Sequence, residues 1–216
     1  MDQCINLGCG ITPTKGYINF DNSLAVRLAR LPEPMIDGLR TFKLINQRNY
    51  EFIQFCKSSN IRFCNAVKRI PLPDSSVDLV YSSHMIEHLD RNEVQSLLGE
   101  IWRVLNRNGI LRLAIPGLRQ KVDQYKSEGD ADAFIKSLHT CVEKPKSISS
   151  RLRYAFIGPR HHHWMYDEAS ICDLIRKFGF RAPIICAPGE TTIEHPDNLN
   201  LSERVEESIY VEARKD

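Results

Sequence analysis

Residues 3–10 of the chain read Gln-Cys-Ile-Asn-Leu-Gly-Cys-Gly. A short, mostly apolar run that ends in two glycines around one cysteine indicates a buried strand running into a tight turn. The glycines, Gly8 and Gly10, allow positive φ and let the backbone approach a ligand closely. This stretch therefore predicts the first strand of an α/β sheet, with a binding turn at its carboxyl end.

The rest of the chain alternates between strand and helix patterns. We predict further strands at 17–21, 61–67, 77–82, 110–115, 181–187 and 208–213, and helices at about 39–58, 91–106 and 167–178. Alternating strands and helices imply a mostly parallel sheet that is covered on both faces. The last two strands have no helix between them, which implies an antiparallel addition at one edge.

Length and composition predict one globular domain that spans residues 1–216, with a helical or lid insertion at about 118–160. The 29 basic and 27 acidic residues give a net charge of +2, so no basic excess points to a nucleic-acid partner. We find no stretch near the roughly 20 apolar residues that span a membrane. The first residues do not resemble a secretory signal, and we expect a cytoplasmic location.

Cysteine usage argues against a disulfide framework or a zinc ribbon. The chain has seven cysteines, an odd number, and no Cys-x-x-Cys pair. We therefore expect these thiols to be small buried side chains.

Polar residues follow several predicted strands at the point where each strand ends. Asp21 follows the second strand, Asn65 and Ala66 follow the third, and Ser82, Ser83 and His84 follow the fourth. Ligands of open α/β sheets bind at these carboxyl ends, and this set suits a nucleoside. Pro13 breaks the Gly-x-Gly-x-x-Gly pattern, which disfavours a bound diphosphate and favours a cofactor without phosphates.

Several motifs together carry a family resemblance. Residues 5–10 and 16–21 resemble the first motif and the ribose acid of class I S-adenosylmethionine-dependent methyltransferases. Residues 70–89 are similar to the LPF-x-D-x-SFD…SH-x-x-EHL block of that family, and Trp102-Arg103-Val104-Leu105 with Gly109 resembles its next helix and turn. Residues 163–167 resemble a type 11-like subgroup that is often associated with polysaccharide biosynthesis. The resemblance covers most of the chain except about 22–60 and 118–158.

The resemblance implies a doubly wound, mostly parallel seven-stranded sheet with an antiparallel edge strand and helices on both faces. It implies S-adenosylmethionine as methyl donor, with S-adenosylhomocysteine as product. The implied cofactor residues are Leu7, Gly8, Cys9, Gly10, Asp21, Asn65, Ala66, Ser82 and Ser83, with Asp21 at the ribose. Two departures stand out: the first crossover helix is shortened or missing, and Asn65 replaces a frequent Asp near the adenine. An Asn can still accept a hydrogen bond from the adenine amine.

The predicted reaction is in-line methyl transfer to a hydroxyl of a small-molecule or saccharide acceptor. A hydroxyl must lose its proton, and histidine is the best-suited base near neutral pH. His84 is our first candidate, and one of the three histidines at 161–163, represented by His162, is the second. The predicted acceptor contacts are His161, His163, Arg160 and Tyr166.

Two other interpretations stay open. The stretch His84-Met85-Ile86-Glu87-His88 spells H-x-x-E-H, the inverted zinc-peptidase motif, which requires a helix and a third ligand. Because this stretch begins at a strand end, we predict that His84 lies on a turn and expect no metal ligand. We expect His88 to pack or bond within its helix. The chain could alternatively bind S-adenosylmethionine or its product without catalysis.

Overall fold

A seven-stranded sheet forms the centre of the computed structural model, which describes residues 3–141 and 161–216. Its strands are β1 (Cys4–Leu7), β2 (Ile18–Asp21), β3 (Arg62–Phe63), β4 (Val77–Ser83), β5 (Leu105–Pro116), β6 (Phe180–Cys186) and β7 (Ser208–Lys215). The strand order is β3-β2-β1-β4-β5-β7-β6. Pairing is parallel from β3 to β5, while β7 is antiparallel to both β5 and β6. The predicted doubly wound α/β fold is confirmed, with its antiparallel addition at the β6 edge.

Helices and one 3-10 turn connect these strands. The helices of the described residues are α1 (Leu24–Leu28), α2 (Glu33–Thr41), α3 (Gln47–Ser58), α4 (Arg91–Val104), α5 (Leu118–Glu128), α6 (Ala131–Ser137) and α7 (Glu168–Lys177). The 3-10 turn covers Ile86–His88 and follows β4 directly. In the described ranges no helix is long and apolar enough to cross a membrane.

The connection from β1 to β2 contains turns only, which confirms the shortened first crossover. Asn19 fixes this loop, because its side chain accepts from the Thr14 N–H at 2.8 Å and donates to the Thr14 carbonyl at 2.9 Å. The buried Asn6 amide donates to the Thr14 hydroxyl at 3.1 Å. These amide contacts replace the helix that usually covers this part of the sheet.

Three element predictions were wrong in extent. The strand predicted over 110–115 spans Leu105–Pro116, so it begins directly after α4 and includes the turn expected at Gly109. The single helix predicted over 39–58 is two helices, because Asn46 caps α3 by accepting from the Asn49 N–H at 2.8 Å. The third strand, predicted over 61–67, pairs only at Arg62–Phe63. The strand ends there because the chain turns at Asn65, whose carbonyl accepts hydrogen bonds from the N–H groups of Lys68 and Arg69.

Helix α4 begins where the sequence predicts. Asp90 accepts from the N–H groups of Asn92 and Glu93, and Glu93 accepts from the Asp90 N–H, so both halves of a capping box are present. The apolar face of α4 is fully buried at Val94, Leu97, Leu98, Ile101 and Val104. This face covers one side of the central strands and holds the carboxyl ends of β4 and β5 in place.

A buried ion pair ties the late loop to the sheet. Arg112 on β5 and Glu212 on β7 are 0% and 1% exposed and form a salt bridge. Glu212 also accepts from the Thr191 hydroxyl and from the N–H and hydroxyl of Thr192, at 2.6–2.7 Å. Burial alone would raise the pKa of Glu212, but these donors and Arg112 lower it below its usual value.

We expect Glu212→Gln to lower the free energy of unfolding by about 3 kcal/mol, because the Arg112 charge would stay buried without its counter-ion. Urea unfolding of the variant measures this loss. The matched control is Asp173→Asn, which breaks an exposed pair with Arg176 and should change the same quantity by less than about 0.5 kcal/mol. Equal effects of the two substitutions would contradict the role given to the buried pair.

Candidate functional site

The turn after β1 is shaped by two glycines in left-handed conformations. Gly8 has φ +71° and its N–H donates to the Phe20 carbonyl on β2 at 2.9 Å. A Cβ on Gly8 would lie 2.7 Å from the Met85 sulfur, so no other residue fits there without a shift. Gly10 has φ +49°, and a Cβ on it would meet no atom within 4 Å. The backbone of this turn is therefore open on the Gly10 side, where a ligand can approach it.

Asp21, the last residue of β2, lies against this turn. Its carboxylate accepts from the Gly10 N–H at 3.0 Å and from the Ser23 N–H at 2.7 Å, one bond to each oxygen. Each oxygen keeps a free lone pair that can accept from a hydroxyl. Burial, and then the Asp21 charge, raises the pKa of the neighbouring Cys9 thiol to about 12. The carboxylate and open turn fit a ribose with two hydroxyls.

Other predicted cofactor residues lie along the same edge of the sheet. Leu7 and Cys9 are buried, so only their backbone can face a ligand. Asn65 and Ala66 form the turn after β3 and are partly buried. Ser83 ends β4. Ser82 is different, because its hydroxyl donates to the Leu7 carbonyl at 2.9 Å inside the sheet, which commits its side chain to the fold.

His84 lies on the turn after β4 with φ +47°, as predicted. Its ring is nearly buried, with 5% of the side chain exposed. The Nε2 atom lies 2.8 Å from the Ser208 hydroxyl, and Nδ1 lies 3.4 Å from Oε1 of Glu87. His84 therefore stands between a carboxylate and a hydroxyl at the carboxyl edge of the sheet.

Glu87 is a buried carboxylate with histidines around it. Its side chain is 0% exposed, and neither carboxylate oxygen has a hydrogen-bond partner within the described residues. Besides His84, Nε2 of His88 lies 3.9 Å and Nε2 of His162 lies 4.0 Å from Oε1. The expectation for His88 was wrong, because its Nδ1 bonds the His161 carbonyl at 3.1 Å rather than its own helix.

The histidine segment 161–163 packs on the 3-10 turn. The N–H groups of His163 and Trp164 donate to the Glu87 carbonyl at 2.7 and 3.2 Å. The rings of His161 and His163 stack on one side with centroids 4.5 Å apart. His162 points the other way, toward Glu87, as expected for neighbouring residues of an extended segment.

Burial governs the protonation of His162. The pKa of this imidazole is lowered to about 4, chiefly by burial. The nearby rings of His88 and His139 contribute to the lowering, whereas the charge of Glu87 opposes it. His162 is therefore neutral at pH 7.

Two of the residues predicted to contact the acceptor, Tyr166 and Arg160, are not seen in an acceptor site. Tyr166 is 1% exposed and belongs to the core, where its hydroxyl accepts from Arg91 at 3.4 Å. Because its ring packs in the core and its hydroxyl bonds Arg91, we leave Tyr166 out of the proposed contacts. Arg160 lies outside the described residues.

The H-x-x-E-H stretch does not form the peptidase geometry. His84 precedes a 3-10 turn and bonds Ser208, so His84 and His88 are not one turn apart on an α-helix. This arrangement disfavours the zinc hydrolase interpretation, which needs both rings to converge on one ion.

Comparisons with known proteins agree with this geometry. The family model described as a methyltransferase domain matches residues 41–113. This match covers less than half of the chain, and the fold is that of class I S-adenosylmethionine-dependent methyltransferases. S-adenosylmethionine is the cofactor of methyltransferases with this fold. No curated protein matches the chain.

Solved structures share the methyltransferase fold over nearly the whole chain. An S-adenosylmethionine-dependent methyltransferase from Thermotoga maritima is 14% identical with a TM-score of 0.50, covering 100% of this chain and 83% of its own. Another, from Methanosarcina mazei, is 16% identical with a TM-score of 0.50. The match covers 99% of this chain and 92% of the Methanosarcina chain. At these identities the likeness concerns the fold.

The sequence did not reveal three contacts of the candidate site. Met85 covers Gly8, Ser208 bonds His84, and the His139 carbonyl accepts from the His162 N–H at 2.9 Å. The contacting residues are distant in the sequence, and Ser208 and His139 belong to no motif that the sequence shows. Glu87 alone had a signal, because it stands between two histidines in the H-x-x-E-H stretch.

We expect Gly8→Ala to destabilise the methyltransferase more than Gly10→Ala. Both substitutions put a side chain on left-handed backbone, at about 1–2 kcal/mol, but only the new methyl group at position 8 would also contact Met85, at about 1–3 kcal/mol more. Urea unfolding gives both values. The double variant Gly8→Ala/Met85→Ala should recover part of the loss, and a loss as large in Gly10→Ala would contradict the role of Met85.

Proposed function

We propose that this methyltransferase transfers a methyl group to a hydroxyl of a small-molecule or saccharide acceptor, with His84 as general base. The supporting observation is the position of the His84 ring between Glu87 and Ser208, on the same sheet edge as Asp21. A base at this edge lies close to where a nucleoside cofactor binds in this fold.

The cofactor contacts follow from the turn geometry. The backbone from Leu7 to Gly10 would hold the methionine portion, Asp21 the ribose, and Asn65 with Ala66 the adenine, while Ser83 completes the edge. When bound, S-adenosylmethionine supplies an already activated methyl group. The chain's own task is then to hold the acceptor oxygen in line and to remove its proton.

His84 suits the base role better than His162. The carboxylate of Glu87, 3.4 Å from Nδ1, orients the His84 ring so that Nε2 faces the Ser208 hydroxyl. His162 is a weak base, because burial lowers its pKa to about 4. The Ser208 contact marks the ring nitrogen at which an acceptor hydroxyl could bind and donate.

The acceptor contacts would come from the region that starts at α5. We propose one domain over residues 1–216, in which the 118–160 insertion and the His161 and His163 rings shape the acceptor pocket. Arg160 and its basic neighbours Lys144, Lys146, Arg151 and Arg153, all outside the described residues, favour an acidic acceptor such as a phosphorylated or nucleotide-linked sugar. Such an acceptor agrees with a role in polysaccharide biosynthesis and involves no nucleic acid.

We also propose a cytoplasmic location. All seven cysteines, which lie in the described ranges, are thiols, and several are buried. Cysteines that form no disulfide are typical of reducing compartments.

Asp21→Asn should abolish or strongly weaken S-adenosylmethionine binding, because the variant loses the charge and one of the two acceptor oxygens. The remaining amide oxygen can accept from only one of the two backbone N–H groups that Asp21 binds, so circular dichroism must show that the variant is folded. Calorimetric titration with S-adenosylmethionine and S-adenosylhomocysteine measures the effect. The matched control is Asp197→Asn, an exposed loop residue with φ +46°. Unchanged affinity in Asp21→Asn would refute the ribose assignment.

His84→Asn should lower the methyl transfer rate by about 10²- to 10⁴-fold, the usual contribution of a general base. Asn tolerates the positive φ at this position, so the turn is kept. Radiolabelled methyl transfer to a panel of sugar phosphates and nucleotide sugars measures the rate, with the exposed His195→Asn as control. If His84→Asn retains the full rate, the base is another residue. Cofactor binding without transfer to any acceptor would favour the binding-only interpretation.

A further inference from the structure

Three side chains from two distant segments converge near the 3-10 turn. One potential ligand atom of each residue, a carboxylate oxygen of Glu87 and a ring nitrogen of His88 and of His162, lies within 4.8 Å of the other two. Oε1 of Glu87 lies 3.9 Å from Nε2 of His88 and 4.0 Å from Nε2 of His162. We call these three residues the Glu87 cluster.

The hydrogen bonds behind the two rings determine which nitrogen faces the carboxylate. The His161 carbonyl can only accept, so Nδ1 of His88, 3.1 Å away, carries the proton. The thioether of Met165 likewise accepts from Nδ1 of His162 at 3.3 Å. In the neutral rings, each Nε2 therefore presents a lone pair toward Glu87.

Two lone pairs and a carboxylate that face each other repel unless a cation lies between them. The need is acute here because Glu87 is fully buried and its oxygens have no hydrogen bond within the described ranges. A buried carboxylate without compensation is strongly disfavoured, and buried charges are normally paired or coordinate metals. The Glu87 cluster therefore has a strong preference for a positive charge at its centre.

The ligand types indicate which cation fits. Two imidazoles with one carboxylate suit zinc, cobalt or iron(II), whereas magnesium and calcium prefer sets of oxygen ligands. Metal-bound histidines usually donate their other N–H to a carbonyl, which is the contact that His88 makes with His161. His88 is also 34% exposed, which gives an ion a route from solvent. His84 stays outside this set, because its Nε2 bonds Ser208.

We propose that Glu87, His88 and His162 bind one divalent transition-metal ion. This site goes beyond the proposed methyl transfer and departs from the expectation of no metal ligand. The backbone holds the site together, since His162 donates to the His139 carbonyl and His163 donates to the Glu87 carbonyl, at 2.9 and 2.7 Å. Three protein ligands leave further coordination positions open.

The test is titration of chelator-treated, full-length protein with Co²⁺, followed by its visible absorption and by calorimetry. We expect one equivalent to bind and Zn²⁺ to displace it. Glu87→Gln, His88→Asn and His162→Asn should each weaken Co²⁺ binding at least about tenfold, since even outer partners of metal ligands contribute 10- to 100-fold. The exposed His195→Asn should bind as the unaltered protein does.

Absence of stoichiometric Co²⁺ and Zn²⁺ binding by folded protein would overturn the proposal, as would binding that none of the three substitutions weakens. If Glu87→Gln does not fold, the partly exposed His88→Asn decides the question, with circular dichroism as the folding check. S-adenosylmethionine binding to Asp21→Asn is measured separately, so failure of the metal site and failure of the cofactor site are distinguishable.

Discussion

The close approach of Met85 to Gly8 is the constraint on which the candidate site depends. Because β1 and β4 are parallel neighbours, with Leu7 paired to Ser82, their carboxyl-end turns emerge side by side. The Met85 thioether fills the space that a side chain on residue 8 would occupy. One turn leads to Asp21 and the other to His84, so this contact fixes the distance between the proposed cofactor and base positions.

Two buried carboxylates, Glu212 and Glu87, differ in the number of hydrogen bonds and ion pairs that compensate their charge. Glu212 is surrounded by Arg112 and the donors of Thr191 and Thr192, as structural buried charges normally are. Glu87 is equally buried, yet its oxygens have no hydrogen bond among the described residues. The environment of Glu87, at the carboxyl edge of the sheet, therefore differs from that of a structural carboxylate such as Glu212.

Features encoded by local spacing were predictable from the sequence, and long-range ones were not. Asp90 with Glu93 specified the start of α4, and the strand pattern before Gly8 specified β1 and its turn. The break in 39–58 depends on one side-chain cap at Asn46, which competes with an otherwise continuous helical pattern. The approach of residue 162 to residue 87 depends on the tertiary fold alone, because 75 positions separate them.

In the H-x-x-E-H stretch, the backbone conformation determines which groups the histidine side chains contact. On a continuous helix its two histidines would share one ion, but the positive φ of His84 and the following 3-10 turn direct the rings to different partners. Glu87 then stands between them, 3.4 Å from His84 and 3.9 Å from His88. The backbone, and not the motif itself, therefore determines which groups lie next to the two rings.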